Sequence, residues 1–257
     1  MTYSISGTSG AVVTFVDDKV VKTSHDLQVK KRILNQADWL LKHQIPAFPK
    51  IYQIEEDGFS MEKLERIDWY RIDANNEWMI VLEKIVQQMS TVWTQPPDYV
   101  TDLYQFMDFL RPRLLTYAPN LKSSMDRWFE DLMSISSYTE CLIHGDNTLD
   151  NTCIRSSTGE VVFIDPNPRA QVPSYMATDI AMICQSTLGY EHFKYRHPLP
   201  KWTMEDVKEL TSISDNDWFA TLFFTAAKFI RILNYETKLQ PTFLQVATDL
   251  IKKEGYL

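Results

Sequence analysis

The segment His144-Gly145-Asp146-Asn147-Thr148-Leu149-Asp150-Asn151 sets an acid and an amide five positions apart. Ile164-Asp165-Pro166 adds a second acid nineteen residues after Asp146. Metal-assisted phosphoryl transfer needs these groups. One carboxylate can take the proton of an attacking hydroxyl, while an amide and a second carboxylate hold magnesium against a nucleotide's phosphates. Between them, Thr152-Cys153-Ile154-Arg155 and Glu160-Val161-Val162-Phe163-Ile164 read as short strands, with Ser156-Ser157-Thr158-Gly159 as the turn. Such a hairpin returns Asn151 and Asp165 to one end, where both can reach one cation. The apolar run Cys141-Leu142-Ile143 reads as a strand leading into the loop. Taken singly, His144 and Asp146 are equally a turn histidine and a helix cap, and Asp165 the end of a strand.

This segment resembles the catalytic and metal-binding segments of the aminoglycoside phosphotransferase and choline kinase family, the small-molecule branch of the protein-kinase-like fold. That family has H-G-D-x-x-x-x-N where protein kinases have H-R-D-x-x-x-x-N, and an I-D segment where they have D-F-G. The resemblance implies that Asp146 is the catalytic base, with His144 the structural histidine beside it, and that Asn151 and Asp165 are magnesium ligands. Thr178-Asp179-Ile180-Ala181 is similar to the family's D-L-A signature, a buried aspartate bracing the catalytic loop. The implied fold is α+β and two-lobed: a small β-rich N-lobe over residues 1–66, with nucleotide clamp and hinge, and a mainly helical C-lobe over 67–257. The implied activity is transfer of the γ-phosphoryl of ATP or GTP, with Mg2+, to a hydroxyl of a small molecule.

The elements that must position these groups begin at the N-terminus. Ser4 to Gly10 supplies small residues around a tight loop, Ala11–Val16 is a β run, Asp17-Asp18 a turn, and Lys19–Lys22 another strand. In kinase-like folds such a loop covers the nucleotide phosphates, which here assigns Ser6, Gly7, Thr8, Ser9 and Gly10 to that role. An ordinary hairpin explains the loop as well. Strand alternation puts Val20 and Lys22 on one face, and Val21 and Lys19 on the other. The resemblance makes Lys22 the phosphate-contacting lysine; Lys19, beside the turn, is the competing candidate. Ser24 reads as the N-cap of a helix with apolar Val29, Ile33, Ala37, Leu40 and Leu41. Kinase-like chains carry a glutamate on this helix to pair with the strand lysine. No glutamate occurs between Ser24 and Ile54; Gln36 takes the corresponding place, and Asp38 points away. This departure favours a second reading, a nucleotide-binding pseudokinase or regulatory module with little turnover. Ile51–Glu55 and Gly58–Glu62 read as antiparallel strands. The run Phe59–Leu64 resembles the family's hinge, where backbone groups of Glu62 and Leu64 would read the adenine edge; a plain edge strand is the alternative.

The remainder is helical in pattern: Trp78–Trp93, Leu103–Leu115, Leu121–Ile135, Thr178–Leu188, Met204–Thr211, Asp215–Tyr235 and Thr242–Lys253. Trp202, Trp218, Phe223, Phe224, Tyr235 and Glu236 are candidates to line an acceptor site, although aromatics at helical spacing are usually core. Arg169 is a candidate phosphate or anion contact, or a surface ion pair.

Bulk composition narrows the rest. The 257 residues suffice for a large core, and no run of 18 apolar residues suggests a membrane span. Three cysteines without metal-ligand spacing, and an N-terminus lacking a secretory pattern, lead to the expectation of a cytoplasmic protein with reduced thiols. The formal charge is −8, with no basic stripe for nucleic acid. Residues 191–257 carry nine acidic and nine basic side chains, so the segment expected to hold the acceptor has no surplus carboxylates for a polycation. A sugar, amino alcohol or related hydroxylated metabolite is the remaining expectation.

Overall fold

A computed structural model describes residues 3–6, 10–99, 102–167 and 172–257, without the side chains of Tyr3, Ile5 and Ser6. The chain divides into two compact units, Met1–Ile67 with Asn151–Pro168, and Asp68–Asp150 with Arg169–Leu257.

The first unit is built on β1 (Tyr3–Ser6), β2 (Val12–Val16), β3 (Lys19–Thr23), β4 (Ile51–Ile54) and β5 (Gly58–Glu62). They form an antiparallel sheet in the order β1-β2-β3-β5-β4. Helix α1 (Leu27–Lys42) buries Ile33 and Ala37 against Val20, Phe59 and Met61 of the sheet, the apolar stripe that its periodicity predicts. Its cap is Asp26, whose carboxylate accepts from the N–H groups of Gln28 and Val29 at 2.9 Å, rather than Ser24 as expected. Ser24 lies two residues early; its hydroxyl accepts from the Asp26 N–H and donates to the carbonyl of Gly10. Gly58 admits no side chain, since a Cβ there would lie 2.0 Å from the carbonyl oxygen of Lys22.

A second sheet joins β6 (Glu65–Arg66), β7 (Thr152–Arg155) and β8 (Glu160–Phe163). The hairpin was expected among residues 67–257, yet it groups with the first unit. Its β6–β7 pairing and Arg155 explain this. The guanidinium reaches both carboxylate oxygens of Glu62, at 2.7 and 3.2 Å, and the carbonyls of Pro46 and Phe48 at 3.3 Å.

The second unit is helical among its described residues. It contains α2 (Asn75–Trp93), α3 (Leu103–Tyr117), α4 (Lys122–Ser134), α5 (Met176–Thr187), α6 (Tyr190–Tyr195), α7 (Met204–Thr211), α8 (Asp215–Ile232) and α9 (Gln240–Lys253). Helix α8 is apolar on nearly every side and packs against α3, α4, α5 and α9. The sequence pattern missed α6, whose six residues are too few to display a period. Cys141-Leu142-Ile143 is not a strand. The run is buried, and its first two N–H groups bond the carbonyls of Ser174 and Gln95 instead of a ladder partner. Its apolar character reflects burial on all sides, which sequence alone cannot tell from a central strand. No helix among the described residues is long and apolar enough to cross a membrane.

Candidate active-site residues

In the first unit, Lys22 shares the inward face of β3 with buried Val20 and is therefore carried under the sheet, only 4% exposed. Its Nζ donates to Gln36 Oε1 at 3.1 Å and lies 2.5 Å from Asp165 Oδ1. Gln36 occupies the face of α1 that packs on the sheet, and its Nε2 donates to the carbonyl of Pro166 at 2.9 Å. Asp38 is exposed, and Lys19 is solvated with its Nζ 5.3 Å above the ring of Tyr52.

Asp165 adopts a left-handed backbone (φ 57°), a conformation costing a non-glycine residue about 1 kcal/mol or more, and one that Asp tolerates better than most. The hairpin register extends one bond past β8, with Ile164 N–H donating to the Asn151 carbonyl at 2.9 Å. Asn151 and Asp165 therefore leave the hairpin at the same end. They offer hard oxygen donors suited to magnesium, a cation that keeps open positions for water and phosphate oxygens. No group of three or more His, Cys, Asp or Glu able to hold a metal occurs among the described residues. Gly10 has a positive φ of 82°, and a Cβ there would press on Val29 at 3.3 Å. Gly7, Thr8, Ser9 and Arg169, and the side chain of Ser6, lie outside the described residues. Glu62 has its N–H bonded to the Lys50 carbonyl and its carboxylate to Arg155, while Leu64 is half-buried.

In the second unit the His144–Asp150 loop is pinned at two points. Asp179, at 0% exposure on α5, accepts from the backbone N–H groups of His144 at 2.9 Å and Gly145 at 2.8 Å, and from Trp93 Nε1 at 3.3 Å. Burial pushes its carboxyl up to about 6, against those hydrogen bonds and the charge of Lys228. Gly145 turns the chain at φ 79°. The Asp146 N–H bonds His144 Nδ1 at 3.2 Å, which fixes that nitrogen as an acceptor and the ring proton on Nε2. Asp146 itself is half-buried and accessible.

The second pin was not foreseen. Glu191, on α6, accepts through Oε1 from the Leu149 N–H at 3.0 Å and from the Ser186 hydroxyl at 2.7 Å. Burial raises its carboxyl to about 7. A glutamate that bonds a backbone N–H leaves no pattern in sequence, because any residue supplies the partner. The expected acceptor-lining aromatics are largely structural. Phe223 and Phe224 are fully buried, Trp202 is edge-on to Trp78 with its Nε1 bonded to Thr187, and Glu236 is paired with Lys194. Of the six, Tyr235 is exposed and Trp218 half-buried.

Together these elements define the fold of small-molecule kinases: a five-stranded sheet with one helix, followed by a mainly helical unit containing the H-G-D loop. No family model and no curated protein matches the chain by sequence. Among solved structures it is similar to the choline kinase LicA from Streptococcus pneumoniae, with TM-score 0.66, 11% identity, and 98% of this chain and 94% of that chain covered. It is similar to the ADP-bound aminoglycoside phosphotransferase APH(2'')-Ib, with TM-score 0.58, 13% identity, and coverage of 98% and 92%. An ethanolamine kinase from Plasmodium vivax gives TM-score 0.58, 11% identity, and coverage of 99% and 82%. At such identities the fold is what is shared.

Proposed function

We propose that this chain is a magnesium-dependent phosphotransferase that moves the γ-phosphoryl group of ATP or GTP to a hydroxyl of a small molecule. The observation that carries the proposal is the buried Lys22 ammonium bonded to both Gln36 and Asp165, with Asn151 leaving the same end of the hairpin as Asp165. A strand lysine under the sheet, tied to a carboxylate far along the chain, is suited to phosphate oxygens and a divalent ion. The three similar structures named above are those of a choline kinase, an aminoglycoside phosphotransferase and an ethanolamine kinase, which supports the same class.

Asp146 orients the acceptor hydroxyl and takes its proton. The acceptor oxygen bonds to the γ-phosphorus as the bond to the leaving nucleoside diphosphate breaks. Lys22 neutralises phosphate oxygens, and Ser6 to Gly10 cover them. The backbone groups of Glu62 and Leu64 hold the base. Asn151 and Asp165 would hold Mg2+, which when bound supplies charge neutralisation at the phosphates. Because phosphoryl transfer has a loose transition state, alignment and electrostatics supply most of the acceleration. The pins from Asp179 and Glu191 serve that alignment by fixing the backbone on either side of Asp146. His144 supports it from within the loop.

The test is magnesium-dependent consumption of ATP and GTP across a panel of hydroxylated metabolites, comparing native protein with Asp146→Asn. Turnover lost with nucleotide affinity retained supports the reading; equal rates in both proteins sink it. Gln36, in place of a charged partner for Lys22, favours a second reading, a nucleotide-binding module with little turnover. Tight nucleotide binding without phosphorylation of any acceptor would select it.

A further inference from the structure

Strand β7 starts one residue after Asn151 and ends at Arg155, which pairs with Glu160 at the start of β8. The hairpin therefore carries Asn151 and Asp165 at its open end and Arg155 at its turn end, about 13 Å along the strand. The guanidinium there is engaged on every nitrogen. Nε and Nη2 meet the two carboxylate oxygens of Glu62 at 3.2 and 2.7 Å, and Nη1 meets Glu160 Oε2 at 3.0 Å. Both Nη1 and Nη2 donate to the Pro46 carbonyl at 3.3 Å, and Nη2 also to that of Phe48 at 3.3 Å. The Arg155 and Glu62 side chains are largely shielded from water. A planar fork on a carboxylate fixes angle as well as distance, which a lysine ammonium cannot do.

Glu62 is where the main sheet ends. It closes β5, its N–H donates to the Lys50 carbonyl at 2.9 Å, and its Oε1 accepts from the Lys50 N–H at 3.1 Å. Glu62 and Leu64 are the positions proposed to hold the base. Two backbone attachments accompany the fork. Strand β6 pairs Glu65 with Ile154 and Arg66 with Cys153, and the Phe163 N–H donates to the Ala47 carbonyl at 2.8 Å. These hold the middle and the open end of the hairpin, but a two-residue strand is a short ladder. The Arg155 fork holds the turn end, so the tilt of the hairpin against β5 is set at both of its ends.

We propose that Arg155 is a positioning residue that couples the base-holding end of β5 to the hairpin end carrying Asn151 and Asp165. This rests on the phosphotransferase reading and adds to it a link between nucleotide and magnesium binding. Because every nitrogen of Arg155 already has an acceptor, it acts through Glu62 and not on the ligand. Such coupling is reciprocal: the factor by which magnesium tightens nucleotide binding equals the factor by which nucleotide tightens magnesium binding. The bond from Arg155 to Glu160 stays within the hairpin and transmits nothing.

The test titrates the full chain with adenosine and ADP, and with guanosine and GDP, each with and without magnesium. Native protein is compared with Arg155→Lys, Arg155→Met and Glu160→Gln, and turnover is followed in parallel. Magnesium is expected to tighten diphosphate binding to native protein, and both arginine variants should cut that factor at least about fivefold. Nucleoside affinity should barely change. Glu160→Gln should leave the magnesium factor as it is. Glu62→Gln weakens the same pair from the other side and should lower the factor too, which covers the case in which the arginine variants do not fold. A purely structural arginine would lower the denaturation midpoint and leave the magnesium factor of the folded protein intact, and that result overturns the coupling. So does the absence of any magnesium factor in native protein, or an equal loss of nucleoside and diphosphate affinity. A factor that falls as expected, in a chain that phosphorylates no acceptor, leaves the coupling standing and removes the kinase reading. Turnover with an unchanged factor in the variants does the reverse, and native protein that binds no nucleoside or nucleotide overturns both.

Discussion

The side-chain amide of Gln36 meets the ammonium of Lys22 at 3.1 Å through Oε1, while its Nε2 donates to the carbonyl of Pro166 at 2.9 Å. An amide can face a cation on one side and a carbonyl on the other; a glutamate cannot. The ion pair of Lys22 is made instead with Asp165, at 2.5 Å. Gln36 therefore links α1 to the segment that carries Asp165.

Gln36→Glu is accordingly expected to bring no gain in turnover, because a carboxylate oxygen would then face the Pro166 carbonyl. Losing that bond and leaving an unmatched acceptor should cost ~1–3 kcal/mol of stability. Steady-state rates and urea midpoints check both parts. A faster variant of undiminished stability would mean that the amide only weakens the site.

Asp165→Asn keeps a residue that tolerates the left-handed backbone but removes the charge that faces Lys22. The fold should persist, while magnesium should no longer tighten nucleotide binding, and affinity with the metal present should fall at least ~10-fold, a loss of about 1.4 kcal/mol. Nucleotide titrations with and without magnesium decide it. An intact magnesium response would remove Asp165 from the metal site.

Asp179→Ala strips acceptors from the N–H groups of His144 and Gly145 and from Trp93 Nε1 in a fully buried place. A loss of ~3–5 kcal/mol is expected, from several buried donors left unsatisfied. Asp179→Asn, retaining one acceptor oxygen, should lose less. Chemical denaturation measures both, and equal midpoints for native protein and the alanine variant would refute the bracing role.

Glu191 gives a pH signature. Its carboxyl is raised from 4.5 to about 7 by burial, so between those values the folded chain holds a proton that the unfolded chain has released. Its stabilising contribution is complete below pH 4.5 and is lost as pH rises through about 7. Glu191→Gln stays neutral throughout and keeps the acceptor for Leu149. The variant's stability relative to native should therefore improve between about pH 5 and pH 8, by at most ~3 kcal/mol. A difference that stays flat across that interval would place the titration elsewhere.

The hairpin was legible in the sequence because it is local. Its turn residues, its alternation and the spacing of Asn151 and Asp165 all lie within about fifteen positions. The strand period put Lys22 on the face of Val20, the family resemblance singled it out over Lys19, and the helix period placed Gln36 on the apolar face of its helix. Misreadings arose where a neighbour distant in sequence sets the environment. Cys141–Ile143 looked like a strand because it is apolar, and only the carbonyls of Gln95 and Ser174 show where its N–H groups go. Ser24 resembled a cap, but the helix starts after Asp26. Phe223 and Phe224 were open to either a core or an acceptor-lining place by their helical spacing, and the packing around α8 buries them.

By itself the sequence determined the order of elements, the acid–amide–acid constellation and the faces that carry it, since periodicity and turn chemistry act between residues a few positions apart. Tertiary structure alone decided that Lys22 bonds a carboxylate 143 residues away, that Glu191 holds the Leu149 backbone, and that Lys228 is buried without a hydrogen-bond partner among the described residues. Those relationships join groups whose meeting depends on how whole helices and sheets pack, and a backbone N–H or an orphaned ammonium leaves no mark on the string of side chains.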